Sequence, residues 1–226
     1  MTVVMLACLM ALGTWQLHRR DWKNALLADI NRGEAAPPVL LSADPAPFTK
    51  VYAEGVLRDD LDAFYGSQVR VTLTGQVLGA HLLTPLERPG ALPVIVDRGW
   101  VPTGQLRPVE PASGPVRIEG YVRAPEHTPR FGPENDVAAR RYFALDPHAI
   151  GAGLGLPAVA PFTLVALGEV PRGVVPIPAY EMPRPPNNHL LYAFTWFGIA
   201  GALLAVFTAY CRNVLRGEAP KTMRRP

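Results

Sequence analysis

His189, Tyr192 and Trp196 are the residues of this 226-residue chain whose types and spacing most clearly suit chemistry. With Ala193 they recur at i+3, i+4 and i+7, so a helix places them on one face. An imidazole at the mouth of an apolar segment is available as an axial ligand for haem iron, and an aromatic face below it suits a flat macrocycle. The same residues also suit a plainer role. His189 with Asn187 and Asn188 can cap the helix, while Tyr192 and Trp196 form an interfacial aromatic belt. A second cluster lies between Gly13 and Lys23, where Trp15, Arg19 and Lys23 recur every four residues as a stripe. If the two segments are antiparallel neighbours, this stripe and His189 share one depth. Arg19 and Lys23 can then pair with haem propionates, and His18 is a candidate second axial ligand. Lipid phosphate is the alternative partner for these cations, and the preferred one for Arg20.

No enzyme signature accompanies these clusters. The chain has no Gly-x-Ser-x-Gly elbow, no His-Glu-x-x-His, no phosphate-cradling glycine loop and no Cys-x-x-Cys. The five histidines, at 18, 81, 127, 148 and 189, have no metal-ligand spacing. His127 and His148 read as solvated, and His81 as a packed strand residue. Cys8 and Cys211 are the two cysteines, and both belong to apolar runs. A thiol oxidoreductase or copper chaperone needs paired thiols, so the sequence predicts neither, and it predicts that no enzyme activity resides here.

The elements that carry the clusters are apolar. Residues 1–17 and 190–211 contain no Asp, Glu, Lys or Arg. The second run is long enough for a transmembrane helix, is aromatic at its start, and is followed by Arg212 and Arg216. That bias places its far end on the cytoplasmic side. The first run is shorter, has no basic region before it and no small-residue cleavage site after it, and is followed by Arg19, Arg20 and Lys23. A signal-anchor helix is therefore expected rather than a signal peptide, with an earlier natural start than Met1 and both chain ends cytoplasmic. Residues 18–188 hold 17 Lys and Arg against 18 Asp and Glu, whereas residues 212–226 hold five against one. The basic balance belongs to the tail, which suits anionic membrane lipids; no nucleic-acid stripe is present.

Between the runs the pattern changes twice. Helical spacing continues through Leu26, Leu27 and Ile30 to a stop at Asn31, Arg32 and Gly33. Strand-like segments follow at 48–57, 69–78, 81–86, 94–101, 116–122 and 162–167, with a short helix at 146–153 capped by Asp146. Six prolines between 171 and 186 predict a stiff strap back to the membrane. The expected architecture is an α+β membrane protein. Two transmembrane helices bracket an antiparallel β-rich extracytoplasmic domain, barrel- or sandwich-like. Its parts are a first helix over 1–33, the domain over 34–170, the strap over 171–188, a second helix over 189–211 and a basic tail over 212–226.

Three motifs give a resemblance. Gly13-x-Trp15-Gln16-x-x-Arg19-x-x-x-Lys23, the run Val96 to Pro102 with Asp97, Arg98, Gly99 and Trp100, and Pro186-Asn187-Asn188-His189-Leu190-x-Tyr192-Ala193-x-Thr195-Trp196 are similar to the Surfeit-locus-protein-1 family, in the family's order. The resemblance implies two membrane helices around an extracytoplasmic domain, in the bacterial or the mitochondrial inner membrane, and a role in assembling haem-copper terminal oxidases. The lack of a transit peptide favours the bacterial inner (plasma) membrane, the domain then being periplasmic. The resemblance also implies transient binding of haem a with His189 at the iron, and transfer toward oxidase subunit I with haem a synthase as a further partner. A scaffold that holds nascent subunit I without binding haem is the alternative. Arg98 and Trp100, on an exposed loop or strand edge, together with Trp15 and Gln16, are the expected partner contacts.

Overall fold

The computed structural model describes residues 1–72, 75–103, 114–126, 132–171 and 173–217. His127 and the last part of the basic tail, residues 218–226, lie outside the described residues, so the expectations for them do too. Among the described residues three α-helices and eight strands form, with a 3-10 turn at Asp59–Leu61: α1 (Thr2–Ala35), β1 (Val39–Leu40), β2 (Lys50–Leu57), β3 (Ala63–Thr72), β4 (Gly75–Glu87), β5 (Val94–Pro102), β6 (Val116–Arg123), β7 (Arg141–Tyr142), α2 (Pro147–Gly153), β8 (Thr163–Ala166) and α3 (His189–Leu215). They divide into two compact units, one of residues 1–28 with 184–226, the other of Asp29–Pro183.

In the second unit the strands make one sheet that curls back on itself. Its order is β1-β2-β6-β8-β5-β4-β3-β7, and β2 also pairs with β4, closing β2, β6, β8, β5 and β4 into a small barrel. The closing register sets Val56 against Glu87 and Leu57 against Leu86. Alternation along the strands sends Val51, Ala53, Leu57, Leu86, Val94, Val96, Val122 and Leu164 into one core. The opposite face of β3, β4 and β5 is covered as well. There Ala63, Leu83 and Ile95 meet Tyr142, Leu145, Ile150 and Leu154 from the α2 region. The first turn of α2 is fixed as its sequence demands, with the Asp146 carboxylate accepting from the N–H groups of His148 and Ala149.

The sheet is mixed, which corrects the antiparallel expectation. β5 and β8 run parallel, as do the two-residue pairs β1–β2 and β3–β7. Side-chain alternation reports which face a residue takes, not which way its neighbour runs. The segment expected as one strand over 69–78 is instead the end of β3 and the start of β4, paired antiparallel with Val69 opposite Leu78. Glycine at Gly75, with φ of +114°, permits the chain reversal that strand propensity hid.

The proline-rich strap is stitched onto the barrel as far as Met182. Trp100 and Ile177 exchange both backbone hydrogen bonds, at 2.8 and 2.9 Å, and Ala179 bonds to Ala166 and Gly168. Gly99, at φ +119°, makes room for this, because a Cβ there would stand 2.1 Å from the Ile177 carbonyl oxygen. The last turn of α1 docks similarly. Ile30 is buried, and at Gly33 a Cβ would stand 1.9 Å from the Phe48 carbonyl oxygen.

In the first unit α1 and α3 lie antiparallel. Asn24 bonds to Asn187, Gln16 to His189, and Gly13 meets Phe197, so positions rise on one helix as they fall on the other. α3 is long and apolar enough to cross a membrane. It is the one such helix among the described residues; the uncharged stretch of α1 ends at Leu17. The hydroxyls of Thr14, Thr195 and Thr208 each donate to the carbonyl one turn back on their own helix. The helices meet through a narrow stripe. Ala193 and Ala200 are buried, whereas Gly198, Gly201, Ala202 and Ala205 face away. The stripe follows the positions 193, 197 and 200, and glycines off that line meet nothing.

Candidate functional site

His189 opens α3 and is half-buried against α1. Its Nδ1 lies 2.7 Å from the Gln16 Oε1. An amide carbonyl only accepts, so this contact fits the neutral ring's Nδ1–H tautomer, the form that leaves a lone pair on Nε2. Two flanking contacts hold the helices in register. Toward the apolar interior, Gly13 admits the Phe197 ring, which a Cβ would approach to 2.4 Å. In the other direction, Asn187 donates to the Asn24 Oδ1 at 2.8 Å and toward the Arg20 carbonyl at 3.4 Å. The Oδ1 of Asn187 is buried and has no partner among the described residues. Asn188, expected to cap α3 through its side chain, makes no such bond.

The other expected ligands are distributed unequally. Successive helical residues turn by about 100°, which sets His18 about 200° round α1 from Gln16. His18 is exposed, and its Nδ1 sits 3.1 Å from the Thr14 carbonyl of its own helix. It therefore does not meet His189, and a second axial ligand from His18 is corrected on that ground. Lys23 lies two turns along from Gln16 on nearly the same face and is half-buried. Arg19 and Lys23 both flank the Trp22 ring, with the guanidinium 4.1 Å and the ammonium 5.8 Å from its centroid. Trp15 stands exposed on α1. On α3, Trp196 is half-buried, while Tyr192 is exposed, so only part of the aromatic face lines the helix pair.

The middle motif has a different environment from the exposed edge expected for it. β5 lies between β4 and β8, and Trp100 is 2% exposed with its Nε1 donating to the Gln68 carbonyl at 3.0 Å. Arg98 pairs with Asp59 at 2.7 Å, the two side chains being 13% and 14% exposed. Both residues are spent on the barrel's own packing: Trp100 is bonded to β4 on one side and to Ile177 on the other, so it has no edge, and its face is buried, while Arg98 is covered against Asp59. Asp97 completes the motif as a buried carboxylate, accepting from His81 at 2.9 Å and from the Gly99 N–H at 3.0 Å.

Beside it, Tyr65 donates to Glu126, which also accepts from Arg123 and from the Leu145 N–H. Burial pulls the Glu126 carboxyl upward, but Arg123 and these donors hold it below its ordinary value. Burial pushes the Tyr65 and Tyr121 hydroxyls up to about 12. The cluster locks the barrel wall rather than opening a site. Among the described residues no group of three or more His, Cys, Asp or Glu side chains is placed to hold a metal ion.

Sequence reasoning picked out Gln16 and His189 separately and missed their bond. The residues lie 173 positions apart. The available signal was the recurrence of Gly13, Gln16, Arg20 and Asn24 at i+3 and i+4, which puts all four on one face of α1.

Comparison with known proteins shows what the chain is similar to. The sequence profile of the SURF1 family matches residues 3–201. A SURF1-like protein of Rickettsia bellii is 28% identical over 213 residues, covering 91% of this chain and 87% of the relative. Surfeit locus protein 1 of Takifugu rubripes is 28% identical, covering 84% and 87%, and that of Homo sapiens is also 28% identical, covering 84% and 70%.

Proposed function

The chain belongs to the SURF1 family, and from that premise we propose that it is a membrane-bound assembly factor for a haem-copper terminal oxidase, binding haem a transiently as cargo and helping its insertion into oxidase subunit I. The observation that carries this reading is His189, which stands at the start of the apolar helix with Nδ1 engaged and Nε2 without a partner among the described residues. An imidazole so held has the donor chemistry of an axial haem ligand, and iron bound there would present the macrocycle for handover rather than for catalysis. Lys23 and Arg19 are the cations available to carboxylate groups, and Trp196 supplies an apolar wall. Among the described residues no thiol or second imidazole joins them, which suits a site that must release what it binds.

In this reading both α1 and α3 cross the inner membrane of a bacterium, both chain ends are cytoplasmic, and the barrel is periplasmic. The apolar length of α3, the basic residues Arg212 and Arg216 at its end, and the antiparallel α1 support that topology. The protein works beside haem a synthase, which must supply the cargo, and it performs no catalysis of its own. A non-haem-binding scaffold for nascent subunit I is favoured by one observation, the exposed Val69, Val71 and Leu78 on the β3–β4 hairpin.

The deciding experiment is an absorption spectrum of the detergent-purified protein, made in cells that synthesise haem a, for wild type and His189→Ala. A haem a band that vanishes in the variant supports the cargo reading. No haem in either preparation, with subunit I still co-purifying, overturns it in favour of the scaffold.

A further inference from the structure

Resting on the reading of His189 as a haem ligand, we propose that Gln16 is its positioning residue: the Gln16 side-chain carbonyl holds the imidazole in its Nδ1–H tautomer and so reserves Nε2 for iron. The contact is 2.7 Å long and half-buried between two helices. A neutral imidazole carries one proton on either nitrogen, and the hydrogen bond made by one decides what the other can do. Were the Gln16 amide N–H₂ to donate to Nδ1 instead, the proton would sit on Nε2 and ligation there would be blocked.

The surroundings keep this bond from wandering. Gly13 lies one turn from Gln16, in contact with Phe197, and Asn24 lies two turns the other way, bonded to Asn187. The helix pair is thus pinned on both sides of the imidazole. Neither pin bonds to the ring itself, and among the described residues Gln16 is its one hydrogen-bond partner. A ligand held by a neutral amide is also less basic than one held by a carboxylate, which favours release of a transient cargo.

The test reads the tautomer directly. Full-length chain with ¹⁵N-labelled histidine rings is studied in detergent at mildly alkaline pH without haem, His189 being assigned by its loss in His189→Ala. Wild type is expected to show a protonated Nδ1 and an unprotonated Nε2. Gln16→Met keeps the side chain's length but removes the acceptor, and is expected to shift the proton to Nε2. Gln16→Glu restores an acceptor and is expected to restore the wild-type tautomer. His81, tied to Asp97 within the barrel, keeps its signals in every properly folded variant.

Ferric haem a is then titrated into the same samples. Gln16→Met is expected to bind about 10–100-fold more weakly, and Gln16→Glu no more weakly than wild type. An Nε2–H tautomer in wild type overturns the proposal without need of any variant. Haem uptake that is lost in His189→Ala but untouched in Gln16→Met overturns the positioning role alone. Absence of haem uptake by wild type overturns the ligand reading, and the positioning role with it.

Discussion

Arg98 stands against Asp59 with both side chains largely covered, and Asp62 lies close by, donated to by Thr84. Burial raises the Asp62 carboxyl, while Arg98 draws it down and Asp59 pushes it further up. Arg98→Ala therefore strands two neighbouring carboxyl groups, and removing one partner of such a covered pair costs on the order of 3 kcal/mol. The melting temperature in detergent should fall by about 6–12 °C. An unchanged melt with lost oxidase assembly would return Arg98 to a partner surface. The buried hydroxyls of Tyr65 and Tyr121 predict a pH dependence on the alkaline side. An unfolded tyrosine ionises near pH 10 and these two at about 12, so below 10 they contribute no differential. Stability is lost as pH rises from about 10 to about 12, because only the unfolded chain gains by ionising there. Thermal melts across that range should show the decline, and Tyr65→Phe should shallow it. At this scale the sequence made the candidate residues legible but not their partners. His81 read as a packed strand residue, yet the buried Asp97 that orients it could not be inferred, since their pairing depends on a strand register that alternation alone leaves open.

The elements were more legible than the residues. Long apolar periodicity announced α1 and α3, and Asp146-Pro147 announced α2. Four strands stand close to where alternation and glycine punctuation put them. What escaped was everything set by pairing between distant strands: the parallel β5–β8 ladder, the hairpin inside 69–78, and the strap's bonds to the barrel. Two glycines carry predictions here. Gly99→Ala sets a methyl group against the Ile177 carbonyl at a backbone conformation that L side chains rarely adopt. It should free the strap, which limited proteolysis would detect as new cleavage within residues 171–183; an unchanged digestion pattern would contradict this. Gly13→Leu forces the α1–α3 pair apart at Phe197, with loss of thermal stability in detergent. Phe197→Ala should recover part of that loss when added to Gly13→Leu, though it is destabilising alone, and simple additivity of the two would show that they do not touch.

At the scale of the whole chain, the proposed topology is tested by reporters that work only outside the cytoplasm. Fusion after Arg32 should be active and fusion after Gly217 inactive; activity at Gly217, or none at Arg32, would overturn the arrangement. The position of β8 has a further consequence, one of timing. β8 slots between β5 and β6, pairing with both, although it follows them in the chain. Until residues 163–166 arrive, β2 with β6 and β3 with β4 and β5 are two ladders joined only at the short β2–β4 corner, with Val94, Val96 and Val122 uncovered. About 60 residues separate the end of β5 from β8, which at ribosomal speed is an interval of roughly 3–12 s. During synthesis the barrel therefore cannot close until β8 has emerged. A premature stop before residue 163 yields no smaller working barrel, only a chain for quality-control proteases.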